Sequence, residues 1–255
     1  MSPVTAQYIA VEGPIGVGKT SLAELLAQRL GARTLLEAAE HNPFLKDFYT
    51  DMRRYAFQTQ LYFLLNRYRQ QQELVQTDLF RQRLVSDYVF AKDRIFAYAT
   101  LDDNELALYE KIAPLLEVRV RKPDLVIYLQ ADVETLLRRI GQRGKFYESR
   151  IDRAHLEDVA AAYNHFFFHY TETALLVVNT SDIDFVKRKE DLDDLIRLPA
   201  APAPPPRDAG RRRAPAVRQS RPGRWRWSLR SRAARPPGDV REASFFWRSP
   251  CDRNG

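Results

Sequence analysis

The segment VEGPIGVGKTSLAELL, residues 11–26, places Gly13, Gly18, Lys19 and Thr20 in the order G-x-x-x-x-G-K-[ST]. Residue types at this spacing suit one kind of chemistry, the gripping of a phosphate chain. The loop from Gly13 through Pro14, Ile15, Gly16, Val17 and Gly18 turns backbone N–H groups inward, and a helix N-terminus adds partial positive charge. Lys19 then reaches the β and γ oxygens, and the Thr20 hydroxyl suits Mg²⁺. A glycine-rich turn that merely caps a helix is the plain alternative; the strand-like YIAVE before the motif and the helix-like SLAELLAQRL after it favour ATP binding. Two carboxylates follow near the ends of strand-like segments, Glu37 closing RTLLE and Asp87 in RLVSDY. Ligands of an open parallel sheet lie beyond the carboxyl ends of its strands, so both face the crevice that the loop faces. One can take a proton from an attacking hydroxyl while the other holds Mg²⁺ or the same hydroxyl. By spacing alone, Glu37 is more often an ordinary solvated side chain than a catalytic one.

These groups need a scaffold, and the chain alternates strand-like and helix-like segments in a way that provides one. Strands are expected at residues 8–12, 33–37, 83–88, 123–129 and 174–180, with helices between them. The long segment AFQTQLYFLLNRYRQQQELVQ reads as one helix with an apolar stripe at 57, 61, 64 and 65. The fold class that follows is α/β, with five parallel strands flanked by helices in one domain of residues 1–198.

Composition divides the chain at Pro199. Beyond it lie 14 arginines against four acidic residues, a net of +10, together with 10 of the 15 prolines, all three tryptophans and the single cysteine, Cys251. Residues 1–198 hold 26 basic and 29 acidic groups, so the overall charge of +7 says nothing of the body, which is mildly acidic. A body without cysteine excludes disulfides, thiolate metal sites and cysteine nucleophiles there. The tail, 199–255, shows neither structural period and is expected to be a disordered Arg/Pro-rich extension. Its RPGRWRWSLRSR stretch offers weak contact with nucleic acid or anionic lipid, or none if the extension is passive. No basic leader precedes a long apolar run and no apolar run approaches about 18 residues. The expectation is a cytoplasmic protein with no membrane partner. His41, His155, His165 and His169 form no metal-like cluster, so none is assigned a ligand role.

Six stretches taken in order, VEGPIGVGKTSLA, EAAEHNPFLKDFY, FQTQLYFLLNRYRQ, VSDYVFAKDRIFA, KPDLVIYLQADVETLLRRIGQRGKFYE and DIDFV, resemble the deoxynucleoside kinases, specifically the bacterial deoxyguanosine/deoxyadenosine kinase branch. The resemblance implies a P-loop kinase fold with a short lid, ATP and Mg²⁺, a small-molecule deoxynucleoside as acceptor, and a homodimer built on helices that include the long one. It makes Glu37 the general base for the 5′-hydroxyl, although Ala38 and Ala39 stand where the family often has Pro-Val. It assigns Gln58 to the edge of the base, on the expectation that Phe57 and Leu61 place this amide on a buried face. Tyr49 and Glu148 match the pair that holds the sugar 3′-hydroxyl. Asp87 matches the acidic residue of the family's Asp/Glu-Arg-Ser motif, but Tyr88 replaces its arginine, leaving Lys92 or Arg94 as the cation near Glu37. Asp93 falls where the family tunes base preference and Phe96 where an aromatic covers the base, which favours a purine. RRIGQRGKFYE resembles the lid, where Arg139, Arg143 and Lys145 would close over the phosphates, unless they only complement a helix dipole. Asp184 and Phe185, in DIDFV, would border the donor adenine.

Two other classes compete. A thymidylate or other nucleoside-monophosphate kinase shares the loop and lid but needs further arginines for the acceptor phosphate. A non-catalytic P-loop binding protein would be either a switch, which wants an Asn-Lys-x-Asp segment absent here, or a relative that kept the fold and lost catalysis, against which Lys19, Thr20, Glu37 and Asp87 argue together.

Overall fold

A computed structural model of the chain describes residues 6–76, 83–118, 120–145, 148 and 151–197. The tail expected to be disordered, 199–255, lies outside the described residues. Five strands form one all-parallel sheet in the order β2-β3-β1-β4-β5: β1 Tyr8–Glu12, β2 Arg33–Leu35, β3 Leu84–Ser86, β4 Leu125–Gln130 and β5 Ala174–Asn179. The helices are α1 Lys19–Leu30, α2 Leu45–Phe48, α3 Met52–Gln76, α4 Lys92–Thr100, α5 Asp103–Glu117, α6 Val133–Arg143, α7 Arg153–Phe168 and α8 Lys189–Arg197.

The central strands carry apolar side chains on both faces, as strands covered on both sides must. Ile9, Val11, Ile127 and Leu129 point to one face and pack with Leu22 and Leu26 of α1 and Leu136 and Ile140 of α6. Their neighbours Tyr8, Ala10, Val126 and Tyr128 point to the other and pack with Val159, Tyr163 and Phe167 of α7 and Ile95 of α4. A separate cluster around Leu64, Ala97, Tyr109 and Ala113 joins α3, α4 and α5. Along the expected stripe of α3, Leu64 is buried, Phe57 and Leu61 are half-buried, and Leu65 remains 48% exposed.

Three connections leave the carboxyl ends of β1, β2 and β3 on the same side of the sheet, and they carry the residues with chemical potential. The sheet order reverses at β1, between β3 and β4, so the loop after β1 lies at the topological switch point. Gly13 must be glycine there: its φ is 152°, and a Cβ would fall 2.4 Å from the Leu129 carbonyl oxygen. Among the described residues, no helix is long and apolar enough to cross a membrane.

Candidate active site

A cleft of about 450 Å³ opens over the loop at 13–18. Residues from Ile15 to Ser21 form its floor; Glu37, Asp87 and Lys92 line one wall; Arg139, Arg143 and Lys145 line another. Tyr49, Phe96, Glu148, Asp184 and Phe185 complete the expected residues that face it.

The phosphate loop folds around the lysine that follows it. Lys19 Nζ donates to the carbonyl oxygens of Gly13 at 2.8 Å and Pro14 at 3.0 Å. Burial and the nearby Lys92 cation bring its ammonium down to about 8, against the pull of Glu12, Asp87 and Glu37. Gly18 caps α1 with φ 103° and packs against the ring of Phe185, where a Cβ would meet Cζ at 3.0 Å. The Thr20 hydroxyl donates to Asp87 Oδ2 at 2.6 Å, and Asp87 Oδ1 accepts the Glu37 N–H at 2.8 Å. One carboxylate thus joins the end of β3 to the first turn of α1 and to the segment after β2.

Glu37 accepts on one oxygen from Arg67 and on the other from Lys92. Burial alone would raise this carboxyl, but the two cations outweigh it and hold Glu37 down at about 2. Arg67 also pairs with Asp93, and its guanidinium lies over the rings of Phe63 and Tyr88, 5.2 and 5.6 Å from their centroids. Of the two cations expected beside Glu37, Lys92 fills that place, whereas Arg94 pairs with Glu117.

Gln58 is not where its neighbours suggested. It is exposed on the outer side of α3 and does not line the cleft; Gln60, 3% exposed, does. At about 100° per residue, two positions carry a side chain to the opposite side of a helix, and the face toward the cleft runs through Gln60, Phe63 and Arg67. The half-buried Phe57 and Leu61 serve the packing with α4 and α5 instead. Thr59 also lines the cleft, and its Oγ1, Arg67 Nε and Asp93 Oδ2 are buried without hydrogen-bond partners.

Sequence reasoning also passed over Arg67 and Glu12. The Arg67 run, NRYRQQQ, looks like a solvated helix face; only its register with Gln60 and Phe63 reveals that it points inward. Glu12, fully buried at the end of β1, accepts from the N–H groups of Gly13 and Val89, each at 2.9 Å, and from the Tyr163 hydroxyl at 3.0 Å. Burial pushes its carboxyl up, against Lys92 and Lys19.

At the lid side, Arg139 donates to the carbonyl oxygens of Val17, Thr180 and Ile183 and to the Thr180 hydroxyl, at 2.8–3.3 Å, tying the phosphate loop to the segment after β5. Arg143 grips Glu148, with Nε to Oε2 at 3.0 Å, and Lys145 pairs with Glu40. Glu148 is 4% exposed.

The deoxynucleoside kinase family model matches residues 9–200, which takes in all of the sheet but Tyr8, together with the loop and every residue that lines the cleft. The chain belongs to the deoxynucleoside kinase family. Its relatives include a deoxyguanosine kinase of Bacillus subtilis, 37% identical over 194 residues that cover 74% of this chain and 94% of the relative. A deoxyadenosine/deoxycytidine kinase of the same organism is 32% identical over 196 residues, 74% of this chain and 89% of that one. The structure of a deoxyadenosine kinase from M. mycoides with bound dCTP shares the fold, with a TM-score of 0.65 at 23% identity over 74% of this chain and 96% of that one. Membership makes this deoxynucleoside kinase an enzyme and disfavours the monophosphate-kinase and non-catalytic alternatives.

The kinase carries a measurable electrostatic signature at Asp93. Burial pushes this carboxyl up to about 6 from an ordinary 3.8, against the Arg67 guanidinium. The folded state therefore holds the Asp93 proton more tightly than the unfolded chain does, so stability is greatest below the unfolded value and declines as pH rises from about 4 to 6. Glu37, held low, acts oppositely and loses its contribution only as pH falls from 4.5 toward 2. Urea denaturation from pH 4 to 7 should show that Asp93→Asn removes a decline of roughly 2–3 kcal/mol. Parallel pH curves for the two proteins would refute this.

Proposed function

We propose that this kinase transfers the γ-phosphoryl group of ATP to the 5′-hydroxyl of a purine deoxynucleoside. The observation that carries the reading is the placement of Glu37, an ionised carboxylate held by Arg67 and Lys92 on the wall facing the phosphate loop. Glu37 accepts the hydroxyl proton late in a largely dissociative transfer. Lys92, in the absence of an arginine at Tyr88, orients Glu37 and the 5′-oxygen. The loop from Gly13 to Thr20, with Lys19 on the β and γ oxygens, holds the triphosphate. Arg143 swings from Glu148 to the charge that builds on the β–γ bridge, with Arg139 and Lys145 behind it. Tyr49 and Glu148 take the sugar 3′-hydroxyl, and Asp184 and Phe185 border the donor adenine.

The Thr20 hydroxyl and Asp87 carboxylate are hard oxygen donors already in contact, a small set that suits Mg²⁺, which keeps water and phosphate oxygens as its remaining ligands. When bound, Mg²⁺ supplies neutralisation of the phosphate charge. At the base, Gln60 and the Arg67–Asp93 pair take the role first expected of Gln58, with Phe96 covering the ring. The unpartnered Thr59 Oγ1, Arg67 Nε and Asp93 Oδ2 support a polar ligand there, because buried polar atoms without partners are rare in a finished site. The relatives' names, deoxyguanosine kinase and deoxyadenosine/deoxycytidine kinase, support a deoxynucleoside and leave its base to assay. ATP-dependent phosphorylation is therefore to be measured across deoxyguanosine, deoxyadenosine, deoxycytidine, thymidine and their monophosphates. Phosphorylation of monophosphates alone would reject the proposal.

The working enzyme is, in this reading, a homodimer. Leu65 on α3 and Leu108 and Leu115 on α5 are 48%, 48% and 74% exposed on helices that pack together, which supports a further apolar contact. Light scattering at micromolar concentration should return twice the chain mass; a monomer would contradict it. Residues 1–198 contain every site residue, so a chain ending at Leu198 should phosphorylate at the full-length rate. Loss of turnover on truncation would give the tail a part in the site or the core.

A further inference from the structure

We propose that Tyr88 is a positioning residue for Glu37, an inference that rests on the reading of Glu37 as the base. β2 ends at Leu35, so Glu37 lies beyond the last strand pairing and needs other anchors. Its N–H is fixed by Asp87 Oδ1, its carboxylate by Arg67 and Lys92, and the carbonyl of the preceding residue, Leu36, by Gln70 Nε2 at 3.2 Å. Tyr88 acts on two of these anchors at once. Its hydroxyl donates to Gln70 Oε1 at 2.8 Å, and its ring lies 5.6 Å from the Arg67 guanidinium carbon.

The hydroxyl sets the direction of an amide. With Oε1 accepting from Tyr88 and Nε2 donating to Leu36, the Gln70 amide is held at both ends; without the Tyr88 bond the Leu36 carbonyl holds it alone, and the side chain is freer to turn away. The ring acts on the cation: an aromatic face over a desolvated guanidinium attracts it and restricts its plane, and Arg67 is 3% exposed. Tyr88 is itself fully buried, so both effects come from a side chain that cannot wander. Packing alone would be served by phenylalanine, and nothing in packing asks for a hydrogen bond that leads, through one glutamine, to the backbone beside the base. The tyrosine that replaces the arginine of the family's motif thus holds the base through its neighbours, while Lys92 supplies the charge.

Steady-state kinetics of Tyr88→Phe, Gln70→Leu, the double variant and Glu37→Gln test this. Tyr88→Phe and Gln70→Leu should each lower kcat by about 5- to 10-fold, the worth of one well-placed hydrogen bond, with KM for the deoxynucleoside changed by less than about twofold. The double variant should fall no further than the weaker single one, because both substitutions break one relay. A merely structural Tyr88 would lower the melting temperature and leave kcat per folded molecule at the wild-type value, which would overturn the proposal. So would losses that multiply in the double variant. Should Tyr88→Phe fail to fold, Gln70→Leu decides alone, and wild-type kcat there rejects the relay. Glu37→Gln separates the two readings: wild-type turnover in it removes Glu37 as base, whereas a dead Glu37→Gln beside an unaffected Tyr88→Phe removes only the role of Tyr88.

Discussion

Glu37→Gln is expected to cut kcat by about 10²–10⁴-fold while nucleotide affinity stays nearly intact. The amide has the carboxylate's shape but cannot take the hydroxyl proton. It also brings a donor NH₂ group to a place where Arg67 and Lys92 already donate, so one of the two cations loses its partner. The phosphate loop is untouched, because its contacts run through Gly13, Pro14, Lys19 and Thr20. A carboxyl held at about 2 is a weak base, and this fits phosphoryl transfer, in which the proton leaves late and positioning dominates. The hydroxyl must share Glu37 with Lys92 or Arg67, which restores part of its basicity at the moment of reaction. Turnover and equilibrium ATP binding are to be measured on the same preparation. Equal turnover in Glu37→Gln and wild type would move the base role to Asp87, the other carboxylate on that wall.

The scaffold was largely legible because its signals are local. β1 matches the expected segment, since five consecutive apolar-rich residues can be buried on both faces only in a central strand. β2 is shorter than the expected 33–37: its sheet pairing runs only from Arg33 to Leu35, and Asp87 then takes the Glu37 N–H that a longer strand would have offered to β3. The cleft was less legible because register decides it. Gln58 and Gln60 have the same chemistry, and only the direction of α3 relative to the sheet separates an exposed amide from one in the cleft. Arg67 lies in a polar run that reads as a solvated face, yet Gln71 beside it is also buried, so the burial of both follows from tertiary packing rather than from pattern. Glu12 sits inside an apolar strand where a charge is unexpected, and its three donors come from the next residue, from Val89 and from Tyr163, too far apart in the chain to be paired by inspection.

Arg67→Met should be the most damaging single change to both stability and turnover among the residues that sequence reasoning missed. Methionine keeps an apolar stem against Phe63 and Tyr88, so the loss is electrostatic rather than a cavity. Asp93, 1% exposed, is left without its cation, and breaking one side of a buried pair costs about 3–5 kcal/mol. Part of that cost is avoided below pH 6, where burial already favours the protonated Asp93 carboxyl, so the defect should shrink as pH falls. Glu37 retains Lys92 but loses the cation that fixes its other oxygen, and turnover should drop by about 10²-fold or more through misplacement of the base. Arg67→Met combined with Asp93→Asn tells the two roles apart. Removing the orphaned charge should restore most of the stability, because replacing both partners of a buried pair is often nearly neutral. It should not restore turnover, since the asparagine does nothing for Glu37. If the double variant regained wild-type kcat along with its stability, Arg67 would serve only to neutralise Asp93, and Lys92 alone would suffice to hold the base.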